Sequence, residues 1–233
     1  MYYYGIDWTY IVFVLPAVLL AMWAQINVKG TFAKYSKVRS ERGMTGADAA
    51  RLVLQKYGID RDVGIQHISG QLTDHYDPRN NTISLSDPVF TSATAAAVGV
   101  AAHEAGHAAQ YAEGYFPIKV RSAIIPVTNV ASTLAMPLVL LGLIFSYAPI
   151  AYLGVIFFGA SVVFQLVTLP VEFNASRRAI EALTESGMIS DEGLTAARKV
   201  LTAAALTYVA ALAVSLGNFL RLLTIVNRSN RDR

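Results

Sequence analysis

Two histidines four residues apart, His103 and His107, bracket a glutamate, Glu104, in the segment HEAGH. On a helix, residues at this spacing stack on one face, so both imidazoles can hold a single ion at about 2.0–2.1 Å. Glu104 is displaced by roughly 100° around the helix, beside the ion, where its carboxylate can take a proton from the water that the ion activates. The chemistry expected is metal-assisted hydrolysis with Glu104 as general base. The chain has no cysteine, so His, Asp and Glu must supply every metal ligand, and zinc is the ion expected. Two satisfied histidines on a polar helix are the plain alternative, but two of only four histidines falling at this spacing favours the metal.

A catalytic zinc takes three protein ligands and keeps one position open. The best third candidate is Glu172, in VEFNAS, an isolated carboxylate just after a long apolar run. An interfacial glutamate paired with Arg177 or Arg178 is the competing reading. The developing oxyanion also needs a donor, for which His75, Tyr76, Arg177 and Arg178 are candidates that the sequence does not rank.

The elements that must position these groups are mostly apolar. Hydrophobic residues make up 54% of the 233 residues against 15% charged, which is too apolar for an ordinary soluble domain. Residues 8–28 carry no charge and are long enough as a helix to cross a hydrocarbon core of about 30 Å. Two further runs within 124–170, divided by SYAP, predict a transmembrane hairpin. A last run over 201–226, interrupted by Arg221, predicts a fourth span or a membrane-associated helix. Lys29, Lys34, Lys37, Arg39 and Arg42 after the first run, with Lys119, Arg121, Arg177 and Arg178 later, place the intervening segments in the cytoplasm. The basic tail at Arg228, Arg231 and Arg233 runs against that rule. A net charge of +3 with scattered cations gives no support for nucleic-acid binding.

Between the first span and the hairpin, residues 30–122 read as the main water-soluble region. Thr45 and Asp48 form a capping-box pattern ahead of an amphipathic helix. Short strands are expected at 63–68 and 82–85 around the DPRNN turn, with NTISLS suited to be an edge strand that pairs with an extended substrate. One helix should then run from Ser86, Asp87 and Pro88 to about Tyr111, carrying HEAGH. Residues 171–200 would form a third-ligand helix and a cytoplasmic connection. The fold class expected is an α+β membrane protein, mostly helical, with three or four transmembrane helices, a short β-sheet and the HExxH helix.

The order of one N-terminal span, DHYDPRNNTISLS, AAHEAGHAAQ, an apolar hairpin, LPVEFNASRRA and AAALTYVAAL resembles the YugP-like neutral zinc metallopeptidases of bacteria over nearly the whole chain. The resemblance implies a zincin-like catalytic region in a multi-pass protein of the cell (inner) membrane, with His103, His107 and Glu172 on zinc and Glu104 as base. Its partners would be peptide or membrane-protein substrates and the lipid bilayer. HtpX-type membrane proteases are more distantly similar and end the third-ligand motif in Asp where this chain has Ser176. Two other functions compete. A site-2-type intramembrane protease wants its motif in a spanning helix and a distant Asp ligand, and a non-catalytic metal-binding scaffold wants a fourth protein ligand.

Overall fold

The structure is a computed structural model that describes residues 7–231. It is mostly helical, with one three-stranded sheet. Helix α1 (Leu15–Tyr35) is entered through a π-helical turn at Tyr10–Val14 and outruns the apolar stretch by several residues. Then follow α2 (Gly46–Lys56), β1 (Gly64–Ile68), β2 (His75–Asp77), β3 (Thr82–Ser86), α3 (Asp87–Phe90), α4 (Ala95–Ala112), α5 (Phe116–Ile144), α6 (Ala148–Glu185) and α7 (Asp191–Arg231). Four helices are long and apolar enough to cross a membrane: Tyr10–Tyr35, α5, α6 and α7. The chain is therefore a membrane protein by the physics of its helices, and α4 is not among the four.

The described residues divide into two units. The first contains the chain up to Ala24, Val120–Leu169 and the part from Thr207 onward. Within it, Trp23, Val127, Val130, Leu141 and Ile156 stay exposed, as lipid-facing side chains do. Small residues let α5 and α6 touch: a Cβ at Gly154 would lie 2.6 Å from the Val139 nitrogen, and one at Gly142 would strike Ala151. Arg221, the charge that interrupts the last apolar run, bonds Asp7 through Nε at 3.0 Å and Nη2 at 2.7 Å. A charge that would be costly alone in lipid thus has its counter-ion.

The second unit comprises Gln25–Lys119 and Pro170–Leu206. Its core joins Val53 and Leu54 of α2, Ile83 and Leu85 of β3, Val89 of α3, Val98 of α4 and Leu183 of α6. The Thr45–Asp48 capping box forms in full: Asp48 N donates to Thr45 Oγ1, and Thr45 N donates to Asp48 Oδ2. Those bonds start α2, whose Ala49, Ala50, Val53 and Leu54 face inward.

Two expectations are corrected here. The strand order is β1-β3-β2, with β1 parallel and β2 antiparallel to β3. TISLS is the central strand, bonded on both sides, so it cannot take a substrate on its edge; the edges are β1 and β2. Its Ile83 and Leu85 are fully buried, as a central strand requires. The single helix expected from Asp87 to Tyr111 is instead two, α3 and α4. The break arises because the Val38–Ser40 segment claims the intervening backbone: Ser40 N donates to Ala93 O and Ala95 N to Val38 O, both at 2.9 Å. Thr94 then restarts the helix by capping the Ala97 N–H.

The third-ligand segment also differs from its expected form. Glu172 sits on the same 38-residue helix as the third apolar run, because α6 continues through Pro170 to Glu185. Pro within a long apolar helix is tolerated where neighbouring groups satisfy the freed backbone. Residues 171–200 are therefore the end of α6, a turn and the start of α7.

Candidate metal centre

Helix α4 presents His103 and His107 one turn apart, with ring centroids 4.7 Å apart and edge to face. Helix α6 brings in Glu172 from a distant part of the sequence. Its Oε2 lies 3.3 Å from His103 Nε2 and 3.5 Å from His107 Nε2, and one ligand atom from each of the three falls within 4.8 Å of the others. Two ligands of a tetrahedral zinc at about 2.0–2.1 Å are roughly 3.3 Å apart, so the spacing suits one ion held by all three.

The approach of α6 depends on a glycine. A Cβ at Gly106 would lie 2.5 Å from the Ala175 carbonyl oxygen, a contact that backbone cannot relieve by rotating. Ala175 and Ala179 are fully buried small residues on α6, so α4 and α6 meet almost backbone to backbone. This closeness puts the short Glu172 side chain within reach of the imidazoles. Glu172 is 2% exposed, and a carboxylate so placed needs cations around it.

The other nitrogens of both rings are engaged. His107 Nδ1 pairs with Gln110 Oε1 at 3.0 Å, and His103 Nδ1 pairs with Ser176 Oγ at 3.1 Å. Gln110 can only accept through Oε1, so Nδ1 of His107 carries a proton, and the neutral ring would present its electron pair at Nε2. The Gln110 amide nitrogen continues the network to Val171 O at 2.8 Å and Asn174 Oδ1 at 3.0 Å. One side chain thus orients His107 on α4 and grips the backbone just before Glu172 on α6. Burial by itself lowers the His107 pKa, but the bond to Glu172 and the charges of Glu172 and Glu104 outweigh it and hold it above its ordinary value. Glu104 itself is half-buried on α4.

The four oxyanion candidates have partners outside this cluster. His75 Nδ1 is bonded to Thr73 O at 2.8 Å, and the Tyr76 hydroxyl donates to Asn81 Oδ1 while its ring packs on Tyr111. Arg177 pairs with Glu181 at 3.7 Å. Arg178 donates to Asn174 Oδ1 at 2.7 Å and to Glu113 Oε2 at 2.5 Å. Sequence reasoning missed Gln110 and Asn174, and named Ser176 only as a departure from a related family's motif, without its contact to His103. The signal was available in spacing: Gln110 follows His107 by one helical turn, and Ser176 follows Glu172 by one.

Ser176 also lines a groove of about 390 Å³ between α6 and the start of α7. Phe173, Ile180, Leu201 and Ala205 form its apolar wall, and Arg177, Glu181 and Arg198 its polar rim.

A helix-borne His pair and a glutamate on a second helix, with the outer ring nitrogens bonded, form a candidate metal site in a membrane protein. Residues 10–227 match the profile of the family described as "Putative neutral zinc metallopeptidase", and the chain belongs to that family. A curated relative, "Putative membrane protease YugP" of Bacillus subtilis (strain 168), is 45% identical over 216 residues, covering 93% of this chain and 96% of the relative. No solved structure matches the chain.

Proposed function

We propose that this chain is a zinc-dependent metalloendopeptidase of the cell (inner) membrane that hydrolyses peptide bonds at the cytoplasmic membrane surface. The observation that carries the reading is the placement of Glu172 Oε2 within 3.5 Å of both His103 Nε2 and His107 Nε2, with Glu104 beside them on α4. Family membership and the relative's printed description support the same reaction class.

His103, His107 and Glu172 would hold the ion, with one position left for water or a carbonyl. A bound zinc supplies Lewis acidity that makes water nucleophilic near neutral pH. Glu104 takes the proton of the attacking water and returns it to the leaving amine, which is general base followed by general acid work. Gln110 and Ser176 keep the imidazoles oriented throughout. The oxyanion donor belongs to the set His75, Tyr76, Arg177 and Arg178. An extended substrate would pair with the edge strand β2, which carries His75 and Tyr76. The Phe173–Leu201 groove would take an apolar side chain of the substrate, which fits a peptide segment drawn from a membrane protein.

The cationic segment after α1 supports a cytoplasmic face for the site. Pairing of Asp7 with Arg221 supports a last helix that crosses the membrane fully. The test is twofold: metal content by mass spectrometry for the detergent-purified protein and Glu172→Ala, and cleavage of a reporter membrane protein by wild type and Glu104→Gln. About one zinc per wild-type chain, lost in Glu172→Ala, and cleavage lost in Glu104→Gln are expected. Zinc retained without Glu172, or equal cleavage without Glu104, refutes the assignment.

A further inference from the structure

A second cavity, of about 560 Å³, lies away from the metal centre where the chain leaves α1. Ser36, Lys37, Arg39, Ser40, Ser92 and Thr94 line it. Its walls are two backbone segments held together by the Arg39–Thr94 bridge and the hydrogen bonds Ser40 N to Ala93 O and Ala95 N to Val38 O. The cavity is therefore built before any ligand arrives, which lowers the ordering cost of binding.

Its chemistry is that of an anion receptor. Among the described residues Lys37 and Arg39 form no ion pair, and no described carboxylate side chain lines the cavity. Ser36 and Ser40 donate their hydroxyl protons to Phe32 O and Met44 O. Thr94 Oγ1 accepts from Ala97 N and keeps its own proton to give, and the Ser92 hydroxyl in the lining is a second donor. A guanidinium fork, an ammonium and two hydroxyl donors match a tetrahedral phosphate, to which Arg bonds in bidentate fashion and Lys as a point charge. The start of the 18-residue helix α4 adds favourable polarity for an anion at the same place.

We propose that this cavity binds a phosphate group, and that the phosphate is carried by an anionic phospholipid. The lipid source is favoured because Ser36, which lines the cavity, directly follows Tyr35, the last residue of a candidate span. Binding here would fix the lipid surface to the residue that caps α4, the helix of HEAGH. The proposal does not rest on the peptidase reading.

The test uses the full chain in a maltoside detergent, which contains no phosphate. Phosphatidylglycerol, diacylglycerol and inorganic phosphate are titrated separately and binding is read by native mass spectrometry and by the shift in melting temperature. Saturable binding of phosphatidylglycerol but not of diacylglycerol is expected, weakened roughly tenfold or more in Lys37→Gln/Arg39→Gln, since both direct charge-assisted bonds to the phosphate are lost. Inorganic phosphate that displaces the lipid in the millimolar range would show that the phosphate group alone is recognised. Inorganic phosphate that fails to compete would show that the lipid moiety is also needed. The double variant Lys29→Gln/Lys34→Gln removes the same charge outside the cavity and should bind almost as wild type. Equal binding by wild type and Lys37→Gln/Arg39→Gln, equal loss in both double variants, or no saturable binding of either phosphate compound overturns the proposal. All four side chains lie on the surface, and unchanged ligand-free melting temperatures verify the fold.

Discussion

Gln110 Oε1 lies 3.0 Å from His107 Nδ1, and the amide nitrogen of the same side chain bonds the carbonyl of Val171, the residue before Glu172. A fully buried glutamine therefore couples two candidate metal ligands that are far apart in the sequence.

Replacing Gln110 with Ala should loosen both. Outer hydrogen bonds to a metal-ligating histidine typically strengthen metal binding by about 10–100-fold, and a loss in that range is expected. Ser176→Ala should show a similar, smaller effect through His103. Competition with a chromogenic chelator reads both affinities, and wild-type affinity in Gln110→Ala would remove the orienting role.

Glu104→Gln should keep its zinc, because Glu104 is not within the ligand cluster. Turnover should fall by about 10²–10⁴-fold, the range that a positioned general base supplies. Measuring zinc and cleavage on one preparation separates this outcome from metal loss.

Gly106→Ala should drive α4 and α6 apart, since the new methyl would lie 2.5 Å from the Ala175 carbonyl oxygen. Overpacking of this kind costs about 1–3 kcal/mol, and the zinc content should fall with it because Glu172 moves away with α6. Gly99→Ala is the control: its methyl would meet the Ala197 Cα and Cβ at 3.3 Å, a tight contact with far less overlap. Melting temperatures and zinc stoichiometry of the pair check the contrast.

The α2 capping box gives a pH dependence of known sign. Bonds from Thr45 Oγ1 and Thr45 N hold the Asp48 carboxyl below its ordinary value. A carboxyl depressed in the folded state contributes stability that is complete above the ordinary aspartate pKa of about 3.9 and is lost as pH falls through the lowered folded value. Thr45→Ala should cost about 1 kcal/mol at neutral pH. Amide exchange at the start of α2 should rise as pH falls through that acid window, after correction for the intrinsic exchange rate, and the rise should vanish in Asp48→Asn.

Several parts of this architecture were legible because they depend on local periodicity. Three of the four apolar helices follow from uncharged runs long enough to span lipid, the last run being left between a span and a membrane-associated helix by Arg221, and α2 follows from Thr45, Asp48 and the apolar positions after them. What escaped depends on partners distant in sequence. The three residues of β2 carry too short a pattern to declare a strand, and only pairing with β3 makes them one. The break between α3 and α4 was invisible because the alanine-rich stretch has strong helical propensity, and it is the Val38–Ser40 backbone, some fifty residues earlier, that competes for those hydrogen bonds.

The sequence by itself determined the chemistry on offer: an i, i+4 histidine pair with an adjacent glutamate, no thiol to replace them, and apolar segments that must lie in a membrane. Glu172 could be named as a candidate from its isolation beside an apolar run. Only the tertiary structure decided that it meets the histidines and that Gln110 and Ser176 hold their outer nitrogens. The reason is physical: residues on one helix are placed by its 3.6-residue period, whereas the distance between two helices is set by packing, here by Gly106 against the Ala175 backbone.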